Sequence, residues 1–69
     1  MRVALIGAGA NAQRHVTVLE RRVGVSVAAV CDTDAARATQ LAARTGATAH
    51  TDWAAMLDGE ALDAVFVCT

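Results

Sequence analysis

Apolar and polar positions along the chain alternate between short unbroken runs and stripes at helical spacing. Residues 2–6 read Arg-Val-Ala-Leu-Ile, an apolar run bounded by Gly7, which predicts a short buried strand. Over residues 10–23, Ala12, Val16, Leu19 and Val23 fall on one helical face, and Gly24 is placed to stop the helix. Residues 25–31 form a second apolar run, rich in β-branched Val25, Val27 and Val30. Residues 34–45 are Ala-rich with Leu41 and Ala42 facing inward, and predict a helix capped by Asp32 or Thr33 and closed by Gly46. Residues 47–50 suit a brief third strand. Thr51 or Asp52 then caps a short helix on which Trp53, Met56 and Leu57 share a face, with Asp58-Gly59 as its stop. Residues 63–68 form the last strand, and its Val65, Phe66 and Val67 are continuous rather than alternating.

Continuous apolar strands are what a parallel sheet covered on both faces requires. The order β-α-β-α-β-α-β therefore predicts an α/β fold, part of a doubly wound parallel sheet with strand order 3-2-1-4. In that order Cys31 and Cys68 end strands on either side of the first, about 9 to 10 Å apart. This exceeds the roughly 7 Å Cα limit for a disulfide, so both are expected to be reduced, structural thiols.

Composition narrows the reading further. At 69 residues the chain makes one small domain at most, and 55% hydrophobic with 19% charged residues makes it globular rather than disordered. Net charge is -1 and the basic residues, all Arg, are spread from Arg2 to Arg44, so no basic stripe invites nucleic acid. No uncharged stretch approaches the roughly 20 residues of a membrane span, and the opening resembles no secretory signal. A cytoplasmic location is the default expectation, and the two cysteines match no metal spacing.

The chemistry sits at the first turn. Gly7-Ala8-Gly9-Ala10-Asn11-Ala12 is a G-x-G-x-x-A motif joining a predicted strand to a predicted helix. Gly7 allows the tight turn, Gly9 lets a pyrophosphate approach the backbone, and Ala12 must be small so that helix and strand lie close. The helix N-terminus at Ala10 and Asn11 then offers free N–H groups and a positive dipole to the phosphates. Asp32 follows Gly9 by 23 positions, at the end of the second strand, where a carboxylate accepts hydrogen bonds from the adenosine ribose and repels a 2′-phosphate. Thr33 and Asp34 follow it and no Arg does, which favours NAD over NADP. These residues define a Rossmann-type dinucleotide site. A structural alternative for Asp32 is a helix N-cap.

The wording around the motif resembles the opening of the glucose-fructose oxidoreductase / inositol dehydrogenase / MocA family. The likeness is carried by Val-Ala-Leu-Ile-Gly-Ala-Gly, Ala12 with His15, Val30-Cys31-Asp32, Asp52-Trp53, and Leu62-Asp63-Ala64-Val65 running into Cys68-Thr69. It covers the whole chain. The resemblance implies an NAD(P)-binding domain followed by a substrate domain. It implies hydride transfer to or from a carbon bearing a hydroxyl in a sugar, polyol or related small molecule, with a lysine from a Glu-Lys-Pro motif moving the proton. Residues 1–69 are thus expected to be the N-terminal part of a dinucleotide-binding domain, with the substrate domain elsewhere in a homo-oligomeric parent. This sequence contains no lysine, so no catalytic residue is assigned within it.

Other residues carry structural alternatives. His15 suits packing or hydrogen bonding on its helix as well as cofactor contact. Trp53 is expected to anchor its helix on the sheet, with adenine contact the lesser option. Thr69, at the carboxyl end of a strand, is placed to meet the pyrophosphate or nicotinamide ribose. Arg14, Arg21 and Arg22 read as a solvated helix face. Two other functions remain open at this stage: a non-catalytic NAD-binding sensor or structural module, and a flavin- or S-adenosylmethionine-dependent enzyme, although flavin enzymes tend to place Glu where Asp32 stands.

Overall fold

In a computed structural model, which describes residues 1–68, the alternating pattern becomes β1 (Arg2–Ile6), α1 (Ala10–Leu19), β2 (Ser26–Cys31), α2 (Ala35–Thr45), β3 (Thr48–His50), α3 (Trp53–Gly59) and β4 (Ala64–Val67). The strands form one sheet in the order β3-β2-β1-β4. All three pairings are parallel. Ile6 pairs with Cys31 on one side and Val67 on the other, so β1 separates the two cysteines, and both thiols are free.

Strand periodicity divides the core into two layers. Val3, Leu5 and Val30 face α1 and α2, where they bury Ala12, Val16, Leu19 and Leu41. Ala4, Ala29 and Cys31 face the other way and meet Met56 of α3. Full burial of side chains such as Leu5, Leu41 and Met56 stabilises the fold by about 1.5–3 kcal/mol each. Arg44 ties the two helices of the thicker layer together from outside: its guanidinium donates to Gln13 Oε1 at 2.6 Å and to Thr17 Oγ1 at 3.0 Å.

Several local expectations are corrected. Helix α1 ends at Leu19 rather than 23, and Val23 is fully exposed. The cause is the return path: Arg21 N–H and Arg22 N–H fold back onto the carbonyls of Val18 and Leu19, and Gly24 takes φ 81° before Ser26 pairs with Arg2. The N-cap of α2 is Asp34, not Asp32 or Thr33, with Oδ1 accepting from Ala36 N and Arg37 N. Asp52 caps α3, which runs through Asp58 to Gly59. Trp53 does not anchor α3: Met56 is buried, while Trp53 stays 57% exposed and Leu57 is exposed too. The unbroken apolar run of β4 is covered on one face only, leaving Val65 and Val67 exposed. Among the described residues no helix is long and apolar enough to cross a membrane.

Candidate functional site

The carboxyl ends of the strands are laced together by backbone hydrogen bonds. Gly7 N donates to Cys31 O at 2.7 Å, Asp32 N to His50 O at 3.1 Å, and Cys68 N to Ile6 O at 2.7 Å. The chain leaves β1 through Gly7, whose φ of 97° excludes side chains bearing a Cβ at ordinary cost, and enters α1 at Gly9. Gly9 lies at φ -84°, which any residue can adopt, and a Cβ built there meets nothing within 4 Å. The protein itself gives no reason for glycine at that position.

Three helices begin near this edge and two are capped by a carboxylate. Asp34 serves α2 and Asp52 serves α3, whereas α1 has no side-chain cap and no acidic residue in its first turn. The first-turn N–H groups at Ala10, Asn11 and Ala12 therefore meet the space above Gly9 with the positive end of the helix dipole behind them. Ala12 is fully buried among Val3, Leu5 and Val16, which explains its small size.

Asp32 stands beside this turn and holds it. Its Oδ2 accepts from Ala8 N at 2.9 Å, and its Oδ1 accepts from Asp34 N at 2.8 Å. The Asp34 N–H, then the Ala8 N–H, hold the Asp32 carboxyl below the ordinary carboxylate range; Arg37 adds to this and burial opposes it. Each carboxylate oxygen retains acceptor capacity for a further donor. Cys31, immediately before, is shifted the other way: burial first, then the charges of Asp52 and Asp32, raise its thiol and keep it protonated.

Two hollows adjoin these residues. One of about 120 Å³ at the strand ends is lined by Gly7, Cys31, Asp32, Thr33, Thr51 and Trp53, with Ile6 beneath. The other is larger, about 720 Å³, and lies between α1 and β4, with Val3, Leu19 and Phe66 at its floor and Arg14 and Arg22 at its rim. Gly7 of the glycine turn and Asp32 line the smaller one, and Asn11 lines the larger. His15 belongs to the larger, where its ring stacks on Phe66 at 6.1 Å between centroids and 29° between planes. Arg14, Arg21 and Arg22 are exposed.

Of the sequence-derived site residues, Gly7, Gly9, Ala10, Asn11, Ala12 and Asp32 come together at this edge. Thr69 lies outside the described residues. Sequence reading missed Thr33 and Thr51 as lining residues, ranked an edge role for Trp53 below a core one, and missed the bond from Ala8 to Asp32. The signal for the lining was the strand order itself, which sets the ends of β2 and β3 side by side.

A parallel sheet ordered 3-2-1-4, with an uncapped glycine turn at its carboxyl edge and an acid at the end of β2, defines a Rossmann-type nucleotide-binding unit. Comparison with known proteins specifies it further. The model of the oxidoreductase family with NAD-binding Rossmann fold matches residues 1–69, and the chain belongs to this family, that of glucose-fructose oxidoreductase, inositol dehydrogenase and MocA. The chain is 37% identical over 70 residues to 4-carboxy-2-hydroxymuconate-6-semialdehyde dehydrogenase of Sphingobium sp., covering 100% of this chain and 22% of that protein. The WlbA dehydrogenase of Chromobacterium violaceum, solved in complex with NADH and UDP-GlcNAcA, superposes with TM-score 0.95 at 34% identity over 100% of this chain and 20% of that one. The 3-ketoreductase KijD10 of Actinomadura kijaniata, solved with TDP-benzene and NADP, gives TM-score 0.90 at 28% identity over 100% of this chain and 22% of that one. The chain thus spans about a fifth of the length of the relatives it matches.

Proposed function

We propose that this chain is the NAD-binding portion of an oxidoreductase that transfers hydride to or from a hydroxyl-bearing carbon of a sugar, polyol or related small molecule. The observation that carries the reading is Asp32: a carboxylate held charged at the end of β2, beside an uncapped helix turn and facing an open hollow. In this reading the N–H groups of Ala10, Asn11 and Ala12 take the pyrophosphate, with Gly7 shaping the turn and Gly9 leaving it room. Asp32 takes the ribose hydroxyls of the adenosine half, and the reading assigns Thr69 to the other half. When bound, the nicotinamide supplies the hydride acceptor or donor. The proton on the substrate hydroxyl needs a separate group. The six basic residues are all Arg and there is no lysine, so the reading places that step, and the substrate contacts, on chain outside these residues.

Relatives are known with either cofactor: WlbA with NADH and KijD10 with NADP. Here Asp32, with Asp34 two residues on, sets negative charge against a 2′-phosphate, and NAD is the expected partner. Calorimetric titration of NAD and NADP into the protein carrying this domain tests it. NAD should bind at least about tenfold more tightly, a difference of roughly 1.4 kcal/mol, and Asp32→Ala should narrow that gap. Equal affinity of the unsubstituted protein for the two would sink the assignment.

A further inference from the structure

We infer that His15 is a positioning residue for the glycine turn: its ring, stacked on Phe66 of β4, sets how the first turn of α1 stands over the strand ends. The inference rests on the nucleotide reading above and adds a residue that acts without touching the ligand. His15 lies four residues after Asn11, so the two share a face of α1. Both line the hollow of about 720 Å³ between α1 and β4. Asn11 belongs to the turn whose N–H groups meet phosphate in that reading, and His15 sits one helical turn, about 6 Å, further along. His15 does not line the hollow at Asp32.

Two other faces of α1 are fastened. Ala12, Val16 and Leu19 are buried in the core, and Gln13 and Thr17 accept from the Arg44 guanidinium of α2. Toward β4 the hollow is open, and Asn11, Arg14 and Val18 at its rim are exposed. Across that gap the His15 ring meets Phe66, with centroids 6.1 Å apart and planes at 29°. Phe66 packs in turn against the buried cluster that holds Ala12 and Val16, and it pairs with Leu5 of β1, two residues before Gly7. The path from Leu5 through Gly7, Asn11, His15 and Phe66 therefore closes on itself around the turn. Without the ring, α1 pivots on its buried stripe and on Arg44, and its first-turn N–H groups shift over the strand ends. The dinucleotide then binds only the aligned fraction of the population, and affinity falls with that fraction.

The experiment titrates NAD calorimetrically into the protein carrying this domain and records a thermal melt of each variant. His15→Ala should weaken NAD about three- to tenfold, the span of a ring pair. His15→Phe keeps a ring and loses both nitrogens, and should bind NAD within about twofold of the parent. In a Phe66→Leu background, His15→Ala should add little further loss, because the two residues act as a pair. A His15→Ala protein with a lower Tm and unchanged NAD affinity has lost packing alone, which would overturn the positioning role. Failure of His15→Phe to restore binding would show the imidazole meeting the ligand directly, and additive losses would show that Phe66 is not its partner. Either result sinks the inference while leaving the nucleotide reading in place. An unsubstituted protein that binds neither NAD nor NADP removes both.

Discussion

Gly7 at φ 97° and Gly9 at φ -84° occupy the same turn under different constraints. At Gly7 an alanine is forced into a left-handed conformation, and Gly7→Ala should lower stability by about 1–2 kcal/mol. At Gly9 the backbone is ordinary and the Cβ site is open. Gly9→Ala should therefore leave the denaturation midpoint within about 1 kcal/mol of the parent, yet weaken dinucleotide binding at least tenfold by filling the space the phosphates need. Paired urea melts and NAD titrations separate the two roles. Asp32 adds a pH dependence. Its folded-state carboxyl titrates below its unfolded value, so its contribution is fully present above roughly pH 4 and is lost as pH falls through the folded pKa. Asp32→Asn keeps one acceptor and sets an NH₂ against an N–H donor. Its Tm should lie below that of the parent at neutral pH, and the difference should shrink on acidification below about pH 4. A gap that is constant with pH would mean that the charge of Asp32 does not hold the turn.

Helix ends show where local pattern suffices and where it does not. The stripes of α1 and α2 and the apolar runs of β1 and β2 were legible because one period dominates each. The end of α1 was not: Val23 is in phase with Val16 and Leu19, but the turn that brings Ser26 beside Arg2 removes it from the helix. Val23→Thr should accordingly change stability by no more than about 0.5 kcal/mol, whereas Leu41→Ala, in the same layer, should cost about 2–5 kcal/mol. Three polar residues, 32–34, compete to cap α2, and local rules cannot rank them. The choice is made 24 residues away, where Ala8 engages Asp32 and leaves Asp34 to the helix. The glycine turn and Asp32 were readable as a motif for the same reason that Trp53 was misread. The motif is local, whereas the fate of the indole depends on a three-residue β3 and on what Met56 already fills. Uncapped α1 gives a further test at this scale. Gly9→Ser supplies the missing cap and should hold or raise the melting temperature while reducing NAD affinity, a trade between stability and ligand that neither capped helix can show.

Across the whole molecule, β4 is an open edge whose Val65 and Val67 face outward, Val67 at 68% exposure, and the 720 Å³ hollow between α1 and β4 is apolar at its floor. A parallel sheet with an unpaired edge and an exposed apolar face templates association. Sedimentation of the 69-residue chain should give a mass above its 7.1 kDa, and Val67→Lys should return it toward monomer; a monodisperse monomer before substitution would contradict this. The strand order also has a consequence in time. Of these four strands the earliest in sequence, β1, lies between two others, and its neighbours arrive unequally: β2 by residue 31, β4 only at 64–67. A nascent chain emerging from its N-terminus can thus join β1, β2 and β3, close the Asp32 carboxylate onto Ala8, and cap α2 while β4 is still unmade. The parts proposed to meet phosphate and ribose belong to this early, more local half, and β4 joins β1 without rebuilding them.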